Sequence, residues 1–224
     1  MANKITSLTV HLLTASGAVI GLWSLILMAE GDAANSLRFL ALAAASDSVD
    51  GTLARMVDVS KHMPQTDGAL IDNLVDYLTW VFLPVVWGYL FMGIPFAICS
   101  VVLLVSLFGF SHKQAKTEDH FFRGFPSYWN LLIFYLYIFD AGVWVSSIIL
   151  IIFSIFVLIP VRFVYPSRTL KLRKTTLSLS VPYIAMIIAM LLYMEETPLW
   201  FSLASLYFPC YYTGLSFYLT SIRS

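Results

Sequence analysis

Four aspartates at two short spacings carry the first chemical signal in this chain. Asp47 and Asp50 stand three positions apart, and Asp72 and Asp76 stand four apart. On a helix, either spacing places both side chains on one face. Four carboxylates at close range repel one another unless they are protonated or bridged by cations. An all-oxygen set suits hard ions such as Mg²⁺ or Mn²⁺, and two acidic pairs suggest a two-metal site. The neighbours add to this. Gly51 and Ala54 clear room beside Asp50 for a flat ligand, and Arg55 can make a charge-assisted contact to phosphate. Gly68 opens the stretch that leads to the second pair. The bland alternative is that these acids only solvate helix ends at an interface. The matched spacings and the small residues around them argue against it.

The elements that position these residues are membrane helices. Of the 224 residues, 59% are hydrophobic and only 12% are charged. That is about half the charged fraction of a soluble domain, and apolar runs near the length of a bilayer span recur along the chain. About eight spans are expected: 8–29, 36–55, 68–91, 94–110, 127–139, 142–161, 177–194 and 198–219. The fifth is short. The first reads as a full span, not as a cleavable signal peptide. The fold class expected is an all-α polytopic membrane protein, one helical bundle over residues 1–224. Ionisable groups inside such helices are expensive and usually functional.

The charges orient the bundle. With both termini on the cytoplasmic side, every Lys and Arg except Arg38 falls on the inner side. The outer turns hold Glu30, Asp32, Asp140, Glu195 and Glu196. The positive-inside rule is satisfied, and both acidic pairs come to the cytoplasmic level. Formal net charge is zero, which gives no hint of nucleic acid. Cys99 and Cys210 have no ligand-like spacing and read as small hydrophobes.

The segments Asp47-Ser48-Val49-Asp50-Gly51-Thr52-Leu53-Ala54-Arg55 and Gly68-Ala69-Leu70-Ile71-Asp72-Asn73-Leu74-Val75-Asp76 together resemble the signature of the CDP-alcohol phosphotransferase family. That signature reads D-x-x-D-G-x-x-A-R, a spacer, then G-x-x-x-D-x-x-x-D, and every fixed position is present. The spacer between Arg55 and Gly68 is twelve residues, longer than most of the family uses. It resembles the bacterial branch that uses choline, as do the opening from His11 to Gly17, the segment Phe121–Asn130 and the segment Pro160–Arg168. One position departs from the wider family: His11 stands where many members have Asn, with Thr14 retained after it.

The resemblance implies two divalent cations, Mn²⁺ or Mg²⁺, held by Asp47, Asp50, Asp72 and Asp76. It implies Asp76 as the base that takes the acceptor's hydroxyl proton. Gly51, Ala54, Arg55, Thr14 and Gly68 are then expected to contact the CDP moiety. The reaction implied is CDP-diacylglycerol plus choline giving phosphatidylcholine and CMP, at the cytoplasmic side of a bacterial inner membrane, among membrane lipids. Family members are often homodimers. A quaternary ammonium has no hydrogen to donate, so its site should use aromatic faces and an anion. Tyr128, Trp129 and Asn130, with Glu118 and Asp119 before them, are the candidates. Tyr128 and Trp129 have a second reading, as interface anchors. Arg162 and Arg168 are candidates for the lipid phosphates, whereas Lys171, Arg173 and Lys174 read as topology and attraction to anionic lipid. His112 and His120 read as loop residues.

Two other functions remain open on the sequence. Another phosphatidyltransferase of the family would take serine, glycerol 3-phosphate or an inositol phosphate as acceptor. An ion transporter would place its acids deeper in the bilayer, beside broken helices.

Overall fold

The computed structural model describes residues 2–222, apart from Glu118 and Ser167. Helices occupy each of the eight apolar runs expected from sequence. Among the described residues, three helices are long and apolar enough to cross a membrane: Asn3–Ala29, Gly68–Met92 and Arg173–Leu192. The chain divides into two compact units.

The first unit comprises residues 1–93 and 129–133. Helix α1 (Ala2–Ala29) and helix α2 (Ala33–Val57) form a hairpin. Gly31, at φ +82°, makes the turn, and the Asp32 carboxylate caps α2 by accepting the Asn35 N–H. Below the turn, Ser24 Oγ donates to the Ser36 carbonyl at 2.8 Å, and the Trp87 indole N–H donates to Ser36 Oγ at 2.9 Å. These buried polar groups are satisfied across helices, as an apolar surrounding requires. Asp58, in the left-handed region at φ 54°, ends α2. A four-residue helix α3 (Val59–His62) and a turn follow, and Asp67 caps the next helix by accepting the Leu70 N–H.

That next helix is continuous from Gly68 to Met92 but not uniform. It begins as α4 (Gly68–Asp76), passes through a π turn over Tyr77–Phe82, and resumes as α5 (Leu83–Met92). Helix α1 packs closely against it, with side chains of the long helix seated over glycines of α1. A Cβ at Gly17 would come within 2.6 Å of Val75 Cγ1.

The second unit comprises residues 94–128 and 134–224. Helix α6 (Phe96–Ser111) packs on α8 (Gly142–Leu158), and α9 (Arg173–Leu192), α10 (Leu199–Ser205) and α11 (Tyr207–Ser221) complete the unit. Helix α7 (Trp129–Ile138) is shared between the units. Its ten residues span about 15 Å, half the hydrocarbon thickness of a bilayer.

The chain is helical as expected, with one short strand pair set among the helices. Strands β1 (Phe121–Arg123) and β2 (Arg162–Val164) pair antiparallel, with Phe122 opposite Phe163. The free edge of β2 is closed by side chains of α11. Val164 N–H donates to Ser216 Oγ, Arg162 N–H donates to Thr220 Oγ1, and Tyr212 Oη donates to the Val164 carbonyl, at 3.0–3.1 Å. An extended segment survives among helices because hydroxyls on α11 take up backbone groups along that edge. The eighth run is also not one helix: Leu206 separates α10 from α11.

Candidate active site

Asp47 and Asp50 project from the C-terminal half of α2, and Asp72 and Asp76 from α4. The reversal through α3 and the Asp67 cap bring the two helices back to the same end of the first unit. One carboxylate oxygen from each of Asp47, Asp50 and Asp72 lies within 4.8 Å of the others. Asp76 follows one turn after Asp72 on α4. Asp50 is the innermost, only 3% exposed. The structure thus brings Asp47, Asp50 and Asp72 together from the two helices.

The energetics decide what such a cluster needs. Two unit charges 4.8 Å apart repel by roughly 3.5 kcal/mol at an effective dielectric near 20. Three ionised carboxylates at that spacing store on the order of 10 kcal/mol, comparable to the whole stability of a domain. Fully ionised, they stay together only around a cation. The donors are hard oxygens, which suit Mg²⁺ or Mn²⁺ and not a soft metal. The residues present therefore fit a divalent ion.

The residues expected to contact the CDP moiety lie on α1, α2 and α4. Arg55 is exposed at the end of α2, and its Nη2 donates to Thr52 Oγ1 at 3.0 Å. Gly51 sits against it, where a Cβ would come within 3.4 Å of Arg55 Nη1. Ala54 is half-buried on the same helix. Gly68 starts α4 directly beneath the His11 ring. His11 is buried, 9% exposed, and its Nε2 has no hydrogen-bond partner among the described residues. Thr14, one turn along α1, donates back to the Val10 carbonyl.

The residues considered for the acceptor and the lipid phosphates are arranged differently. Trp129 is fully buried, and Asn130, 8% exposed, uses its Oδ1 to accept the Leu131 N–H. In the second unit, Tyr128 is half-buried in an aromatic cluster, edge-on to Phe122 and Phe125, with Tyr212 6.2 Å away. Asp119 and Arg162, read separately from sequence, meet each other. Arg162 Nη2 donates to both Asp119 oxygens at 2.8 and 3.0 Å, and its guanidinium lies over the Phe121 ring. Arg168 lies over Tyr165. Glu118 falls outside the described residues.

Sequence reasoning missed the π turn over Tyr77–Phe82, which begins directly after Asp76.

Comparison with known proteins adds an independent line. The family model for CDP-alcohol phosphatidyltransferase matches residues 1–160. A phosphatidylcholine synthase of Legionella pneumophila is 39% identical over 223 residues, covering 94% of this chain and 87% of the relative. One of Borreliella burgdorferi is 39% identical over 183 residues, covering 80% and 78%. One of Pseudomonas aeruginosa is 32% identical over 217 residues, covering 92% and 90%. No solved structure matches the chain.

Proposed function

Since the chain belongs to the CDP-alcohol phosphatidyltransferase family, we propose that it transfers the phosphatidyl group of CDP-diacylglycerol to choline, forming phosphatidylcholine and releasing CMP. The observation that carries this reading is the meeting of Asp47, Asp50 and Asp72 within 4.8 Å, on helices whose flanking residues are small or basic. The names of the relatives that cover most of the chain support choline as the acceptor.

The chemistry follows from the residues. The choline oxygen forms a bond to the lipid-bearing phosphorus as the bond from that phosphorus to the CMP oxygen breaks. The hydroxyl proton passes to the Asp76 carboxylate, and CMP leaves with the electron pair. Asp47, Asp50, Asp72 and Asp76 hold two divalent ions, Mn²⁺ or Mg²⁺. Such ions, when bound, neutralise the diphosphate and make CMP a better leaving group. Arg55 contacts a phosphate oxygen, while Gly51, Ala54 and Gly68 leave the backbone open to the nucleotide. Thr14 and the unpartnered His11 Nε2 contribute polar contacts on the α1 side. Asp76 serves as base only within hydrogen-bond reach of the hydroxyl.

The ammonium is recognised by aromatic faces, with Tyr128, Trp129 and Asn130 as the candidates. Tyr128 keeps part of its surface open. We place the protein in a bacterial inner membrane as a multi-pass helical protein of about eight spans, with the aspartates at the cytoplasmic side, where choline and CMP exchange with water. The placement of nearly all Lys and Arg residues in inner segments supports this orientation. An acceptor panel tests the function. CMP release from CDP-diacylglycerol should require choline. A requirement for serine, glycerol 3-phosphate or an inositol phosphate would replace the acceptor.

A further inference from the structure

We propose that the cavity between the start of β1 and the turn before α9 binds the phosphate of an anionic phospholipid, with Lys171 as the cation that receives it. All of the residues involved belong to the second unit, and none is a candidate for the metal site.

The cavity has a volume of about 290 Å³. Cavities that hold small ligands begin at roughly 300 Å³, so this one suits a headgroup and leaves acyl chains outside. One residue fixes its two sides. Thr169, 2% exposed, donates from Oγ1 to the His120 carbonyl at 2.6 Å and accepts the Tyr165 N–H at 2.8 Å. The turn before α9 is thereby tied to the residue that enters β1. A cavity stapled in this way exists before a ligand arrives, which lowers the ordering cost of binding.

The charges select the ligand. Asp119, His120, Phe121 and Lys171 line the cavity. The Asp119 carboxylate accepts from Arg162 Nη2 through both oxygens, at 2.8 and 3.0 Å, and from Thr117 Oγ1 at 2.7 Å. Its charge is therefore compensated. Arg162 in turn lies over the Phe121 ring. Lys171 is exposed and forms no ion pair among the described residues. The cavity thus carries one uncompensated cation, which an anion completes, and the His120 imidazole is a second polar group in its wall.

The surface around the cavity favours a lipid over a free ion. Leu170, in the wall, is 80% exposed, and Leu172 is 52% exposed. Lys171 stands between them, and Arg173 and Lys174 follow. Leu172 is held in the left-handed region at φ 55°, a conformation that bulky residues rarely adopt. Apolar side chains exposed beside basic ones suit the headgroup layer of an anionic bilayer. A lipid phosphate on Lys171 sets its chains against these leucines, whereas inorganic phosphate leaves them bare.

The test uses the full chain in a neutral detergent, without metal, CDP-lipid or choline, so its result is separate from the transferase reading. The thermal midpoint is followed as phosphatidylglycerol, phosphatidylethanolamine with the same acyl chains, or inorganic phosphate is added. Phosphatidylglycerol should raise the midpoint to a plateau, and the other two should not. Lys171→Gln removes the charge at an exposed position and should weaken that binding by about 5-fold or more. Lys174→Gln, outside the cavity, should bind as the wild type does. Equal responses to the two lipids overturn the proposal, and so does no response to either. Binding that survives Lys171→Gln, or falls equally in Lys174→Gln, overturns it too, since the lipid then sits elsewhere or on diffuse surface charge. A response to inorganic phosphate that matches phosphatidylglycerol overturns the lipid assignment.

Discussion

The imidazole of His11 lies so close over Gly68 that a Cβ on Gly68 would come within 2.8 Å of the ring carbon Cε1. Helix α1 and the first residue of α4 are thereby locked together at the entrance to the aspartate pair on α4. Gly68→Ala must displace the ring, and overpacking of this kind costs about 1–3 kcal/mol. The expected outcome is a lower thermal midpoint and a raised KM for CDP-diacylglycerol. Adding His11→Ala should recover the midpoint, since the clash is gone, but not the KM. Recovery of both would reduce the contact to packing.

Asp50 is the most buried of the four acids, so its charge has the least access to water. Asp50→Asn removes one carboxylate from a set whose pairs repel by roughly 3.5 kcal/mol. Thermal unfolding without metal should show a more stable protein, by about 2–4 °C for each kcal/mol recovered. The same variant should lose the stabilisation that Mn²⁺ gives the wild type, and its CMP release. A metal-free protein destabilised by the substitution would mean that Asp50 is held by its hydrogen bonds and not opposed by its neighbours.

Much of this was legible in the sequence. Spacings of three and four on adjacent apolar runs sufficed to bring the aspartates together, because helix geometry is fixed and the connection is short. The π turn was not legible, since its residues, Tyr77 to Phe82, are ordinary for a membrane helix. The β1–β2 pair was also hidden: Phe122 and Phe163 are 41 positions apart, and three-residue strands leave no alternating pattern. What makes the pair possible is a row of hydroxyls on α11, at Tyr212, Ser216 and Thr220, whose meaning depends on what they face.

The pairing of Asp119 with Arg162 has a measurable consequence. The side chains are 32% and 27% exposed and the contact is bidentate, which places it at the upper end of exposed pairs, about 1 kcal/mol. Single variants Asp119→Ala and Arg162→Ala should each lower the midpoint, and the double variant should fall short of their sum by about that coupling. Additive effects would mean that the pair contributes nothing to the fold.

Tyr128 gives a cleaner test of ammonium recognition than Trp129. Replacing the fully buried Trp129 opens a cavity and costs about 3–5 kcal/mol, which would change every kinetic constant together. Tyr128→Leu should raise the choline KM several-fold, in keeping with loss of about 1 kcal/mol of cation–π attraction, and leave the KM for CDP-diacylglycerol near wild type. Equal changes in both constants would remove Tyr128 from the acceptor site.

The central claim is that the clustered aspartates carry a choline-dependent phosphatidyl transfer. The most direct measurement follows CMP release from CDP-diacylglycerol by purified protein with Mn²⁺ or Mg²⁺, with and without choline, beside Asp76→Asn. The account predicts release that requires choline, stops with EDTA, and is lost in Asp76→Asn. Choline-dependent release that persists in EDTA or in Asp76→Asn would contradict it.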